Sequence, residues 1–130
     1  MTSSPFSEKL VLVVDDDILL TQLIAITLEM DGINAIAVHN GFEALDLLQN
    51  TTPDMIMLNL MLPEMDGLRF IELLRKQPKF DHIPVLILSA LDKPEIREEM
   101  LAAGAAGFML KPVQTSYLLK EVRTLLTTHA

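Results

Sequence analysis

A chain of 130 residues, half of them apolar, has the size and composition of one globular domain with a real core. It contains no cysteine, which excludes a disulfide frame, a thiolate metal site and a cysteine nucleophile. The formal net charge of −8, without a lysine or arginine stripe, argues against direct nucleic-acid binding, where phosphate contacts dominate affinity.

No apolar run approaches the roughly 20 residues that span a bilayer, and the first residues lack the basic and apolar regions of a signal peptide. We therefore expect a cytoplasmic domain without membrane contact. Residues 1–8 read as a short frayed lead-in, 9–127 as the domain and 128–130 as a tail, with no second domain.

Lys9 to Val14 is a β-branched apolar run closed by Asp15-Asp16-Asp17. An uninterrupted apolar strand predicts burial on both faces, as in a parallel sheet. Asp17 can cap the following helix, whose free N–H groups its carboxylate can accept. That helix is expected to reach Met30, with Leu20, Leu23, Ile24 and Leu28 on its apolar stripe and Leu19, Ile26 and Met30 broadening it. Asp31-Gly32 ends it. Ile33 to Val38 reads as the second strand. A short helix marked by Phe42, Leu45 and Leu48 follows Asn40-Gly41 and breaks at Thr51-Thr52-Pro53.

Met55 to Leu58 is the third strand, and it stops at a polar Asn59. The chain turns over at Pro63 and Asp66-Gly67 into a helix expected to about Lys76, with Phe70, Ile71, Leu73 and Leu74 available inward. Gln77-Pro78 ends it, since proline disfavours helix at the residue before it. Ile83 to Leu88 is the fourth strand, with Pro84 at its tolerant start. A helix over 92–103 presents Ile96, Met100 and Ala103 inward. Gly107 to Leu110 is a short fifth strand closed by Lys111-Pro112. The last helix, from Thr115 to about Thr127, carries Leu118, Val122 and Leu125 on one face.

Strand and helix thus alternate five times, which predicts a parallel sheet with helices on both faces. The residues just beyond four of the strands are Asp15-Asp16, Asn59, Ser89 and Lys111, all polar. The second strand ends at Val38-His39 and reads as the edge. Each polar residue alone could be a cap or a turn. Together, at the carboxyl ends where open α/β sheets keep their sites, they read as a Mg²⁺ and phosphoryl site. Hard Mg²⁺ takes oxygens, lysine supplies a point charge to a phosphoryl oxygen, and serine supplies a neutral donor. Asp-Asp-Asp after the first strand, in place of a glycine-rich phosphate loop, argues against a nucleotide or flavin enzyme. His39, His82 and His129 are too dispersed for a ligand set, and Met55, Met57, Met61, Met65 and Met109 read as packing residues.

Four segments carry a strong resemblance to the receiver domain of two-component response regulators: Leu-Val-Val-Asp-Asp-Asp, Pro-Asp-Met-Ile-Met-Leu-Asn-Leu-Met-Leu-Pro-Glu-Met-Asp-Gly, Pro-Val-Leu-Ile-Leu-Ser-Ala, and Gly-Phe-Met-Leu-Lys-Pro. The resemblance covers about residues 9–127. It implies a flavodoxin-like, three-layer (βα)5 domain, with a five-stranded parallel sheet in order 2-1-3-4-5. It implies metal ligation by Asp15, Asp16, Asn59 and the Met61 carbonyl, a switch hydroxyl at Ser89, a switch aromatic at Phe108, phosphoryl contact by Lys111, and a cis Lys111–Pro112 peptide. The implied partners are a histidine kinase or phosphotransfer protein and a downstream protein on the face made by the fourth helix, fifth strand and fifth helix. The expected state is a monomer or a weak dimer, and a switch rather than an enzyme.

Asn59 stands where the family has its phosphoaccepting aspartate. An amide offers neither a charged oxygen nor a free nitrogen lone pair, so it is no nucleophile. The expected consequences are a chain that is not phosphorylated there, weak Mg²⁺ binding, and a mostly inactive-like switch. Two readings follow: a receiver with its phosphoacceptor replaced, or a pseudo-receiver that works as a phosphorylation-independent interaction module.

Overall fold

Five short apolar runs, each closed by a polar or turn residue, pair side by side in parallel in the computed structural model, which describes residues 5–128. The strands are β1 (Leu10–Val14), β2 (Asn34–Val38), β3 (Met55–Asn59), β4 (Val85–Ser89) and β5 (Gly107–Leu110), in the order β2-β1-β3-β4-β5. The helices between them are α1 (Ile18–Met30), α2 (Gly41–Leu48), α3 (Gly67–Arg75), α4 (Pro94–Ala102) and α5 (Thr115–Thr128). A 3₁₀ turn at Pro78–Phe80, not anticipated from the sequence, sits between α3 and β4 and buries Phe80. The expectations for residues 1–4 and 129–130 lie outside the described residues.

Every residue of β3 and β4 is buried, as unbroken apolar runs require when helices cover both faces. On one face Leu12, Val14, Ile56, Leu58, Val85 and Ile87 pack with α2, α3 and α4. On the other, Val11, Val13, Met57 and Leu88 pack with Ile24 and Leu28 of α1 and with Leu118 and Val122 of α5. The strand alternation divides one sheet between two cores.

Local chemistry sets the helix starts. The carboxylates of Asp17 and Asp66 accept from the N–H groups of Leu20 and Arg69, and the Asn40 side chain accepts from Glu43 N–H. Gly104, with φ +113°, ends α4 in a conformation that a side chain disfavours.

The helix faces depart from expectation in two places. Leu19, Leu23, Ile26 and Met30 lie in solvent rather than on the buried stripe of α1, Leu19 and Met30 being 78% and 85% exposed. Ile24, Leu28 and Thr21 take the inward positions, because β1, β2 and α5 cover only one side of a helix that is apolar nearly all round. Phe42 is also exposed, and Gly41, Ala44 and Leu48 face inward in α2. Residues 5–8 form a turn rather than fraying. Phe6 packs against the α1–α5 core and its carbonyl accepts from Lys9 N–H.

Candidate functional site

The register of the sheet brings the strand ends to one edge. Asn59 pairs with Leu88 across β3 and β4, and Ser89 pairs with Leu110 across β4 and β5. The chain beyond each strand stays tied to its neighbour: Leu60 N–H donates to Leu88 O, Lys111 N–H to Ser89 O, and Asp15 N–H to Val38 O. Asp15, Asn59, Ser89 and Lys111 are thereby fixed by backbone bonds rather than by loop conformation.

Asp15 is fully buried and its carboxylate is divided between two tasks. Oδ1 accepts from Asp17 N–H at 2.9 Å and from Asn59 Nδ2 at 3.3 Å. Oδ2 accepts no conventional hydrogen bond and is held by ion pairing, with Lys111 Nζ at 2.8 Å. A buried carboxylate requires such a partner, since desolvation of an unpaired charge costs several kcal/mol.

Asn59 is the centre of the arrangement. Its Nδ2 lies 3.3 Å from Asp15 Oδ1, 3.2 Å from Asp16 Oδ1 and 3.1 Å from the Met61 carbonyl oxygen. All three neighbours are acceptors without a proton to give, so the NH₂ end of the amide must face them. Two amide protons serve three oxygens, and one is shared between two acceptors. Met61's side chain is exposed and takes no part; its backbone oxygen does.

Asp15, Asp16, Asn59, Met61 and Lys111 are therefore brought into one connected cluster. Ser89 and Phe108 are not joined to it. The Ser89 hydroxyl, fully buried, accepts from Leu91 N–H at 2.9 Å and so closes its own loop. Phe108 is half-buried against the core with the Arg97 guanidinium 5.2 Å above its ring, a cation–π distance. The Lys111–Pro112 peptide is cis. Arg97, Phe108, Pro112, Gln114 and Tyr117 line a groove of about 300 Å³ between α4 and α5. Sequence reasoning missed Arg97, whose pairing across α4 and β5 leaves no local signal.

The oxygens of Asp15, Asp16 and Met61 are of the hard kind that Mg²⁺ takes, yet here they converge on an amide nitrogen. As they stand, the residues do not fit a bound divalent ion. Among the described residues no cluster of three or more His, Cys, Asp or Glu forms a metal site.

Close packing holds the loop after β3. A side chain at Gly67 would place its Cβ 3.0 Å from Leu60 Cα and 3.1 Å from Asn59 O, so only glycine lets α3 start against the end of β3. Glu64, at φ +67°, bends the same loop, and Met65 N–H donates back to Pro63 O.

A 2-1-3-4-5 sheet with its polar cluster at the carboxyl edge defines a doubly wound α/β domain whose candidate site lies where such sheets bind their ligands. The model of the response regulator receiver domain matches residues 11–123. The solved receiver domain of the Francisella response regulator 1452 superimposes with a TM-score of 0.87 at 35% identity, covering 94% of this chain and 99% of that one. The chemotaxis response regulator CheY4 of Vibrio cholerae gives a TM-score of 0.86 at 32% identity, over 90% of this chain and 98% of that one. The response regulator MprA of Mycobacterium sp. (strain KMS) is 37% identical over 116 residues, 89% of this chain and 50% of that protein. The DNA-binding dual master transcriptional regulator RpaA of Synechocystis is 35% identical over 116 residues, 89% of this chain and 48% of that protein. The chain belongs to the response regulator receiver domain family, and it spans about half the length of these curated relatives. Its fold is the flavodoxin-like one of its solved neighbours.

Proposed function

We propose that this chain is a signal-transduction receiver domain of a two-component phosphorelay in which the phosphoacceptor, at residue 59, is replaced by an asparagine that takes no phosphoryl group. The observation that carries this reading is the Asn59 amide at the end of β3, its nitrogen engaged by Asp15, Asp16 and Met61, and we read residue 59 as the family's phosphoacceptor position. Formation of an acyl phosphate needs a carboxylate oxygen to attack phosphorus, and no such oxygen is present at residue 59. Asp15 is already committed to Lys111 and Asp17.

Asp15, Asp16, Asn59 and Met61 then hold the positions of a receiver's metal ligands, with the Asn59 nitrogen standing where their oxygens converge. Lys111 and Ser89 hold the positions of its phosphoryl contacts. Phe108 is the switch aromatic, and its place under Arg97, with Ser89 closed on Leu91, supports an inactive-like resting state. The downstream partner meets the α4–β5–α5 face, where the groove beside Phe108 offers apolar and cationic surface together. The upstream partner is a histidine kinase or phosphotransfer protein of the family's kind, acting in the cytoplasm. No helix among the described residues is long and apolar enough to cross a membrane.

A small phosphodonor such as acetyl phosphate with Mg²⁺ should leave the chain unlabelled in intact-mass measurement, while Asn59→Asp gains one phosphoryl group. Labelling of the unaltered chain at residue 59, or an aspartate variant that stays unlabelled, sinks the proposal.

A pseudo-receiver is the second reading, favoured by the same amide. It predicts that the chain and Asn59→Asp capture the same partner equally without phosphodonor. A strict need for the restored carboxylate and phosphodonor excludes it.

A further inference from the structure

Loss of one carboxylate from an acidic pocket ordinarily weakens a cation's binding in proportion to charge. The geometry at Asn59 points to something more specific. The acceptors that surround its Nδ2 are two carboxylate oxygens from the β1–α1 loop and one carbonyl oxygen from the β3–α3 loop. They come from segments 44, 43 and 2 residues away in sequence, and all lie within 3.1–3.3 Å of a single atom. Convergence of oxygens from separate segments on one point is what a hard cation normally imposes. Here a proton-bearing nitrogen, itself buried, stands at that point.

We propose that the Asn59 side chain is a built-in substitute for the divalent cation, and that it closes the pocket to Mg²⁺ by occupying it. The amide protons offset the mutual repulsion of Asp15 and Asp16, and Lys111 neutralises the remaining buried oxygen of Asp15. The strand ends β1 and β3 are thus drawn together without metal. A cation entering the cluster would first have to displace the amide nitrogen from all three acceptors, and residue 59 itself would then offer it a neutral oxygen in place of a carboxylate. The inference rests on the reading of residue 59 as the phosphoacceptor position, but it concerns cation binding and not phosphoryl transfer.

Charge loss and occupation make different predictions for one substitution. Asn59→Ala keeps the formal charge of the pocket and removes the amide. If charge alone limits affinity, alanine and asparagine should respond to Mg²⁺ alike. If occupation limits it, the alanine variant should bind Mg²⁺ at least about tenfold more tightly than the unaltered chain.

Thermal unfolding is followed with and without about 10 mM MgCl₂ at matched ionic strength, so that general screening cancels. The unaltered chain is expected to shift by less than about 1 °C. Asn59→Ala is expected to melt lower without metal and to rise by about 3 °C or more with it. Asn59→Asp, with a third carboxylate, is expected to rise by about 5 °C or more. An alanine variant as unresponsive as the unaltered chain overturns the proposal, and so does an unaltered chain that rises as far as the variant.

A second readout needs no variant to fold. The Asn59 side-chain NH₂ protons, hydrogen-bonded and buried, should give a nitrogen–proton NMR pair that Mg²⁺ does not move. A shift of that pair on titration overturns the proposal. Phosphodonor labelling of residue 59 would sink the proposed function and leave these metal results standing, so the two failures are distinguishable.

Discussion

Replacing Lys111 by methionine keeps most of the side-chain volume and removes the ammonium that lies 2.8 Å from Asp15 Oδ2. Asp15 has no exposed side-chain surface, and that oxygen accepts no other bond, so the variant leaves half of a buried carboxylate unpaired. Breaking a buried ion pair from one side costs about 3–5 kcal/mol. Lys111 retains 22% of its side-chain exposure, so water reaches the vacated position and the expected loss falls to about 2–3 kcal/mol. At a urea slope typical of a domain this size, the midpoint should drop by roughly 1.5 M. Equilibrium urea unfolding followed by far-ultraviolet circular dichroism measures it. The double variant Lys111→Met with Asp15→Asn should recover at least half of the loss, because the stranded charge is gone. A single-variant loss under about 0.5 kcal/mol, the range of a solvent-exposed pair, would refute the claim that this pair holds the site together.

Three further outcomes follow from the geometry. Gly67→Ala should cost about 1–3 kcal/mol, because its Cβ meets backbone at Leu60 and Asn59 that cannot step aside, and the loss should appear in the same urea titration. Arg75 donates to the carbonyl oxygens of Phe80, Asp81, Ile83 and Gly104, and burial holds its pKa below the usual arginine value. Arg75→Met should therefore lose about 2–3 kcal/mol, and Arg75→Lys should not restore it, since an ammonium cannot reproduce the planar fork. Glu64→Gly should raise the urea-derived stability by about 0.5–1 kcal/mol, the left-handed strain relieved outweighing the added freedom of the unfolded chain. A loss of stability there would mean that the Glu64 side chain holds the loop.

The physical basis of what was legible is visible in particular residues. Apolar runs such as Met55 to Leu58 could be assigned to strands because polar stops closed them, and the two-sided burial of β3 and β4 follows from their having no polar alternation. Asp17 was readable as a cap since capping is local chemistry. The faces of α1 were not readable. A helix with Ile18, Leu19, Leu23, Ile24, Ile26, Leu28 and Met30 has apolar residues nearly all round, and only the position of β1, β2 and α5 decides that Ile24 and Leu28 are the buried ones.

At the site, the residue types and their order along the chain were set by sequence alone: Asp15, Asp16, Asn59, Ser89 and Lys111 each lie at or just beyond the end of a strand, and asparagine at residue 59 offers no carboxylate nucleophile whatever the fold does around it. Which groups touch was decided only in three dimensions. Parallel register sets the Asn59 nitrogen among oxygens of Asp15, Asp16 and Met61, turns Lys111 onto Asp15, and leaves the Ser89 hydroxyl on Leu91. These contacts join residues up to 96 positions apart, from Asp15 to Lys111. Their distances depend on the hydrogen-bonded spacing of the strands, which no local pattern in the chain encodes.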